Sequence, residues 1–216
     1  YLSNGHISPV WYSTMARKGL IPVAELNTFR KLDTRLQGHP TTAEHLEGVR
    51  VASGSLGQGL SVALGHAQAK KMANDTKTVF VLMGDGELQE GQVWEAAIYA
   101  GSRNINNIVG IVDANGQQID GPVEEVMSLG NLRSKWESFG WEVIEVDGHN
   151  YEELKSVLLA SKTRSDKTKP LCILMKTIMG KGVDFMENTH KWHGSPPNKE
   201  QMEAAMAQLP STLADF

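Results

Sequence analysis

Two oxygen-bearing side chains, Asp85 and Asn115, each follow a short apolar run of the sequence. The runs, 79–83 and 108–112, have the length and composition of buried strands, and an alanine-rich helical segment separates them. Because the carboxyl ends of parallel strands share one edge of a sheet, we expect the two side chains to lie near each other there. A carboxylate, an amide oxygen and a main-chain carbonyl at Gln117 are hard ligands of the kind that hold Mg²⁺, with phosphate and water completing its coordination.

Glycines flank the carboxylate on both sides. Gly84 and Gly86 would let the main chain come close to a ligand, and the helix that follows would direct its N–H groups at that ligand. Asp-Gly and Asn-Gly are also common turn dipeptides, so either one alone is compatible with an ordinary turn. Their paired placement behind two apolar strands favours a site for a diphosphate carried on a divalent metal ion.

Size and composition limit the classes of protein to consider. The chain has 216 residues, enough for one α/β domain, and its net charge of −4 without a dense run of Lys and Arg argues against a nucleic-acid surface. No apolar run has the roughly 18 residues that a membrane helix needs. The lone Cys172 lies in an apolar run and is predicted to be a buried small hydrophobe, which fits a reducing cytoplasm. The first residue is Tyr1 rather than Met, so an N-terminal part is expected to be missing.

Further strands and helices surround this pair. Apolar runs at 141–146 and 171–176 predict two more strands, helical segments alternate with the strands, and a short helix is predicted to begin at Pro22. The alternation predicts an α/β fold with a doubly wound, mostly parallel sheet flanked by helices. The whole chain, 1–216, is expected to form a single domain.

Several motifs resemble one enzyme family. Gly84-Asp85-Gly86, followed about thirty residues later by Asn115, is the signature of thiamine-diphosphate enzymes, and the strings GDGELQEGQVWEAA and IVDANGQQIDG resemble transketolase. Other segments resemble that family in the same order: LSNGH at 2–6, GHP at 38–40, GSLGQG at 54–59, and the stretch 176–194, which ends in WHG. The resemblance covers residues 2 to about 209 and implies the thiamine-diphosphate-binding fold of the diphosphate-binding (PP) type.

The resemblance assigns chemistry to three histidines. It implies that His6 and His193 contact the cofactor diphosphate, and that His39 and His193 face the substrate. We therefore take His6, His39 and His193 as candidate catalytic residues. His149 is instead predicted to be a loop or capping histidine, and His190 does not match the family motif.

The resemblance also implies the cofactors, thiamine diphosphate and Mg²⁺ (or Ca²⁺ or Mn²⁺), and the residues that bind them. Gly54 and Leu56 would lie against the cofactor rings, and Ile119 would pack under the central bend of the cofactor. Glu90, together with Glu95, would link active sites across a subunit interface. The implied cofactor-binding residues are His6, Gly54, Leu56, Gly84, Asp85, Gly86, Glu90, Asn115, Ile119 and His193, and the implied metal ligands are Asp85, Asn115 and Gln117.

Features that the family has and this chain lacks predict a partner. In the family, a glutamate on a second, pyrimidine-binding domain acts across a dimer interface, and arginines hold the substrate phosphate. We find neither here, nor the Ser-Gly-His-Pro segment expected before Leu2. The end of the chain resembles that of the N-terminal subunit of two-gene transketolases. We therefore expect a cytoplasmic subunit that self-associates as a dimer or heterotetramer and is active only with a C-terminal partner chain. It would move a two-carbon ketol unit between sugar phosphates in the pentose phosphate pathway.

Other functions stay open at this point. The nearest is another thiamine-diphosphate enzyme, similar to 1-deoxyxylulose-5-phosphate synthase or a 2-oxoacid dehydrogenase, although the GSLGQG and LQGHP strings speak against it. A subunit that binds the cofactor without catalysis and regulates assembly is a second. An unrelated nucleotide-binding protein is a third, but the sequence has neither GxxxxGK[ST] nor a GxGxxG that follows a strand.

Overall fold

The computed structural model of this chain describes residues 1–164 and 167–210. Its helices and strands alternate as the sequence predicts. They are α1 (Ser8–Arg17), α2 (Gln58–Met72), β1 (Val79–Gly84), α3 (Gly91–Ser102), β2 (Ile108–Ala114), β3 (Gln117–Gln118), β4 (Gly121–Pro122), α4 (Val123–Met127), α5 (Leu132–Ser138), β5 (Glu142–Asp147), α6 (Tyr151–Ala160), β6 (Leu171–Lys176) and α7 (Lys199–Gln208). Residues 165–166 and 211–216, which the single-domain prediction includes, lie outside the described residues.

Four strands form one parallel sheet in the order β1-β2-β6-β5. The register pairs Gly84 with Asp113 and Ala114 with Lys176, so three neighbouring strands end level with one another. The segments that follow β1 and β2 therefore leave the sheet at the same edge, as the sequence predicts. Short strands β3 and β4 make a separate antiparallel hairpin directly after β2.

The first residues of the chain also reach this edge. Leu2 forms a parallel bridge with Leu82 on the outer side of β1, and the N–H of Ser3 donates to the carbonyl of Leu82 at 2.9 Å. The bridge places the segment that continues to His6 beside the carboxyl end of β1. The sequence did not predict this pairing, because two residues are too short to show strand periodicity.

Helices cover both faces of the sheet. On one face, α2 packs on β1 and β2, α5 packs on β5, and α3 packs beside α2, around buried residues such as Leu60, Val93 and Trp136. The fully buried Cys172 belongs to this core. On the other face, α6 packs on a smaller core that includes Ile173. Strands covered on both sides read as continuous apolar runs. The predicted parallel sheet flanked by helices is confirmed, as is the burial of Cys172.

Two further observations complete the fold. The short helix predicted from Pro22 is a 3₁₀ helix, Val23–Thr28, in which no side chain is buried. Only the half-buried Leu26 of this segment packs against a core cluster, and Arg30 already takes a left-handed φ of +58°, so the segment is too short for a stable α-helix. Among the described residues, no helix is long and apolar enough to cross a membrane.

Candidate active site

Asp85 lies at the centre of the shared sheet edge. It follows β1 directly and begins a short 3₁₀ turn, Gly86–Gln89. Its side chain is 5% exposed; Oδ1 accepts a hydrogen bond from the N–H of Gly86 at 2.8 Å, and Oδ2 accepts one from the N–H of Gly116 at 2.6 Å. Burial raises the pKa of Asp85 to about 6, while the two main-chain donors act in the opposite direction. The carboxylate is thus fixed at the turn that follows β2.

Asn115 is oriented by its neighbours in that turn. Its Oδ1 accepts from the N–H of Gln117 at 2.8 Å, and its Nδ2 donates to Asp113 Oδ2 at 3.4 Å. Asp113 in turn accepts from the hydroxyl of Thr177, which follows β6. Gln117 pairs across the β3–β4 hairpin with Pro122, which has no N–H to donate to the Gln117 carbonyl. Asp85, Asn115 and Gln117 therefore meet at one place, while their roles toward a metal ion stay predictions.

Two buried acceptors beside these residues have no hydrogen-bond donor among the described residues. They are Asn4 Oδ1 and Gln117 Oε1. Asn4 belongs to the segment next to β1, and its Nδ2 would lie 3.6 Å from a Cβ built on Gly84. Because buried acceptors are nearly always satisfied, such oxygens fit a site for a hard cation that carries water.

The site also offers few protein ligands to a cation. In residues 1–164 and 167–210 no group of three or more His, Cys, Asp and Glu side chains is arranged to hold a metal ion. A cation at Asp85 would therefore take one carboxylate together with amide and main-chain oxygens. The remaining positions would be left to a ligand such as a diphosphate and to water, which is the arrangement Mg²⁺ commonly adopts.

Packing within the protein requires glycine at one of the two positions beside Asp85 and not at the other. A Cβ on Gly86 would lie 2.8 Å from the Cβ of Gln118, so packing against the hairpin already requires glycine there. A Cβ on Gly84 would meet only Asn4 Nδ2, at the ordinary distance of 3.6 Å. Protein packing alone therefore does not require glycine at position 84.

Three histidines from distant parts of the sequence come together near this edge. The rings of His6 and His39 meet edge to face, with centroids 4.6 Å apart. Burial lowers the pKa of His6, and the charges of His39 and His193 lower it further, which places His193 within electrostatic reach of His6. Burial also lowers the pKa of His193. The structure thus groups the three candidate catalytic residues, which favours neutral imidazoles at His6 and His193 near pH 7.

The glycine-rich loop packs against this histidine pair. Gly54 has φ +135°, and a Cβ there would lie 2.9 Å from the ring of His39. The carbonyl of Leu56 accepts from Gln92 Nε2 at 3.1 Å, and a Cβ on Gly57 would lie 2.8 Å from the Cβ of Glu90. Glu90 itself is exposed. Gly54 therefore lies beside His39, whereas Leu56 and Gly57 lie against residues 90–92.

Ile119 lies apart from these contacts at the tip of the hairpin, and 62% of its surface is exposed. A single exposed apolar side chain is common on protein surfaces, so the role of Ile119 toward the cofactor stays a prediction. The structure places it after Gln117 and Gln118, on the same hairpin that holds the Asn115 turn.

His149 has a structural role, as predicted. Its Nε2 accepts a hydrogen bond from the N–H of Ile178 at 2.8 Å, which joins the loops after β5 and β6. The prediction of a loop histidine is confirmed.

Glu87 is a site residue that sequence reasoning missed. It is 2% exposed and accepts from the hydroxyl of Ser3, from the N–H of Gly57 at 2.8 Å and from the N–H of Gly84 at 3.2 Å. Burial raises the pKa of Glu87, while these donors favour its charged form. Nothing in its local sequence distinguishes it from Glu90, so no signal was available to find it.

Comparisons with known proteins agree with this geometry. The chain matches the family model of the transketolase thiamine-diphosphate-binding domain over residues 1–212. It is 39% identical to a 6-deoxy-6-sulfo-D-fructose transketolase subunit of a Clostridium species, over 96% of this chain and 74% of that protein. It is also 39% identical to an apulose-4-phosphate transketolase subunit of Phocaeicola vulgatus, over 96% of this chain and 73% of that protein.

A solved structure gives the same result. The crystal structure of transketolase from Campylobacter jejuni superposes with a TM-score of 0.86 at 36% identity, over 96% of this chain and 33% of that one. This chain therefore spans a third of that transketolase and about three quarters of the two subunits.

Proposed function

We propose that this chain acts as the N-terminal subunit of a split transketolase. The chain belongs to the transketolase family, as the thiamine-diphosphate-binding domain of that family. With a partner chain it would transfer a two-carbon ketol unit from a ketose phosphate to an aldose phosphate, using thiamine diphosphate and a divalent metal ion. The observation that carries the proposal is the hydrogen bond from the N–H of Gly116 to Asp85, which joins the two halves of the cofactor motif at one sheet edge.

The metal ion would be held by Asp85, Asn115 and the main-chain carbonyl of Gln117. Asp85 supplies the charge, and its burial makes a cation favourable, because a buried carboxylate without a counter-charge is costly. Mg²⁺ is the expected ion, and Ca²⁺ or Mn²⁺ would fit the same oxygens. Gly84 and Gly86 would lie along the diphosphate.

The histidines would act through their ring N–H groups. His6 and His193 would donate to the diphosphate, and His39 and His193 would donate to substrate oxygens. The lowered pKa values of His6 and His193 leave these rings neutral near pH 7, so each can donate from one nitrogen and accept at the other. Bound thiamine diphosphate supplies a carbon nucleophile and an electron sink for making and breaking carbon–carbon bonds.

The rings of the cofactor would rest on less polar surface. Gly54 and Leu56 would contact them from the glycine-rich loop, and the exposed Ile119 would pack under the central bend of the cofactor. Covering Ile119 in this way would remove a large apolar side chain from water.

A partner chain is part of the proposal. The two relatives named as subunits support it, and the partner would carry the pyrimidine-binding domain with its activating glutamate. Glu90, with Glu95, would link sites across a self-association interface, giving a dimer or heterotetramer. Support comes from Ile98 and Tyr99, which are 49% and 40% exposed on α3, the helix that follows Glu90. The buried free thiol of Cys172 fits a cytoplasmic location.

The substrates are proposed only as a class. The named relatives act on a sulfonated fructose and on apulose 4-phosphate, so sugars with an anionic group are the expected donors and acceptors. We further propose that the reaction is a step of the pentose phosphate pathway, whose sugar phosphates belong to this class.

The test is titration of thiamine diphosphate and Mg²⁺ into the chain alone and into its complex with the subunit encoded beside it, followed by a ketol-transfer assay. We expect turnover only in the complex, and loss of both binding and turnover in Asp85→Ala. The matched control is Asp147→Ala, because Asp147 is an exposed aspartate that ends β5 at the same edge. Cofactor binding without ketol transfer would favour a regulatory subunit, and no binding in either setting would overturn the proposal.

A further inference from the structure

Glu87 is a buried carboxylate to which the proposed function gives no role. It lies in the 3₁₀ turn after Asp85 and is 2% exposed. Buried carboxylates are rare unless they are paired or hydrogen-bonded. This one accepts hydrogen bonds from three separate segments of the chain.

Each of these segments carries a residue proposed to face the cofactor. The hydroxyl of Ser3 donates to Glu87 Oε1, and Ser3 lies three positions before His6. The N–H of Gly57 donates to the same oxygen at 2.8 Å, directly after Leu56. The N–H of Gly84 donates to Oε2 at 3.2 Å, directly before Asp85.

Ser3 extends the connection further. Its Oγ, which donates to Glu87, also accepts from the N–H of Gly59 at 3.1 Å, so the glycine-rich loop is attached to the carboxylate both directly and through Ser3. The loop packs closely here, because a Cβ on Gly59 would overlap Ser3 and a Cβ on Gly57 would lie 2.8 Å from the Cβ of Glu90. The three segments therefore meet around one side chain.

We propose that Glu87 is a positioning residue that holds these three segments in register for the diphosphate cofactor. It touches neither substrate nor metal; it acts through His6, Leu56 and Asp85. The inference rests on the proposed function, since it concerns binding of that cofactor.

The chemistry explains why a carboxylate is needed. All three partners are donors, so only a side chain with two acceptor oxygens satisfies them together. In Glu87→Gln the amide would present its own N–H to one of these donors and leave that donor unsatisfied in a buried site. Glu87→Asp would keep the charge, but its side chain is one methylene shorter, so the carboxylate would lie farther from the three donors.

The test measures cofactor affinity rather than activity alone. In the complex with the partner chain, at a temperature where each variant is folded by circular dichroism, thiamine diphosphate with Mg²⁺ is titrated into wild type, Glu87→Gln and Ser3→Ala. We expect the dissociation constant to rise about tenfold or more in Glu87→Gln and less in Ser3→Ala, which removes one donor of three. The control, Glu152→Gln, changes a side chain that is 79% exposed on α6 and should leave the constant unchanged.

A double-mutant cycle separates positioning from general destabilisation. If Glu87 acts by placing His6, the effects of Glu87→Gln and His6→Ala on the dissociation constant will be strongly non-additive. At saturating cofactor, the KM for the sugar donor should stay at the wild-type value in Glu87→Gln.

The possible results are distinct. A lower melting temperature in Glu87→Gln with a dissociation constant within about twofold of wild type would make Glu87 a purely structural residue and overturn the inference. If Glu87→Gln does not fold, the test rests on Ser3→Ala. An unchanged dissociation constant for the cofactor in Ser3→Ala would then overturn the inference. If wild type itself binds no cofactor, the proposed function fails, and the inference fails with it.

Discussion

The main-chain N–H of Gly116 donates to the carboxylate of Asp85 at 2.6 Å, across two strands that are neighbours in the sheet. This hydrogen bond fixes the turn after β2 on the carboxylate that follows β1. The proposed metal ligands are therefore positioned by each other before any ligand binds, which is what a preorganised cation site requires.

Gly116→Ala tests this relationship. Gly116 has φ +72°, and a Cβ there would meet no heavy atom within 4 Å, so the substitution acts through backbone preference alone. We expect a loss of about 1 kcal/mol in the free energy of unfolding. Because the strain displaces the N–H that holds Asp85, the Mg²⁺-dependent affinity for thiamine diphosphate should fall about tenfold.

Gly19→Ala is the matched control for that variant. Gly19 has φ +74° with equally open space, but it follows α1 away from Asp85. It should lose similar stability in denaturant unfolding and keep its cofactor affinity in titration of the complex. Equal affinities in the two variants would show that the Gly116 N–H does not set the position of the carboxylate.

The two glycines beside Asp85 should respond differently to alanine. Gly86→Ala places a Cβ 2.8 Å from that of Gln118, so we expect it to displace the hairpin and to lower the free energy of unfolding by about 1–3 kcal/mol. Gly84→Ala meets only Asn4 Nδ2 at 3.6 Å and should keep its stability. If the diphosphate lies along Gly84, this second variant should still lose cofactor affinity. Wild-type affinity in Gly84→Ala would place the diphosphate elsewhere.

The sequence predicts the sheet edge well because its signals are local. Apolar runs locate β1 and β2, and the polar residues directly after them are necessarily at the strand ends, so Asp85, Asn115 and Gln117 could be brought together before the structure was known. The closeness of His6, His39 and His193 was predicted only through the family resemblance. Their positions depend on how loops fold over the sheet, which periodicity does not encode.

The role of Glu87 could not be predicted from local sequence patterns. Its donors come from residues 3, 57 and 84, so its role depends on a bridge of two residues beside β1 and on a loop with left-handed glycines. Neither feature has a sequence pattern long enough to identify. The same is true of the hydrogen bond from Thr177 to Asp113, which joins β6 to the site.

Acidic pH should destabilise the folded chain through the histidine cluster. Burial first, and then the charges of His39 and His193, place the pKa of His6 below its ordinary value of 6.5. As the pH falls through 6.5 the unfolded chain therefore binds a proton at His6 before the folded chain does, so folding stability is fully present above that pH and decreases toward the lowered pKa.

The measurement is the free energy of unfolding of wild type and His6→Asn between about pH 5 and about pH 8. Wild type should lose stability relative to the variant at the acidic end of this range. His45→Asn is the control, because His45 is an exposed histidine at φ +51°, a backbone that Asn tolerates. Parallel pH profiles for wild type and His6→Asn would contradict the expected effect.

Ile119 gives a prediction that separates binding from stability. The side chain is 62% exposed, so Ile119→Ala should change the free energy of unfolding by no more than about 0.5 kcal/mol. If the side chain packs under the bend of the cofactor, removing it will weaken cofactor binding and leave a gap beneath the rings. Leu159→Ala is the matched change, because Leu159 is 51% exposed on α6, on the opposite face of the sheet from α2 and α3. Cofactor titration of the two complexes should show weaker binding in Ile119→Ala alone. Unchanged affinity in both variants would mean that Ile119 contacts a partner chain or stays exposed to solvent, and does not contact the cofactor.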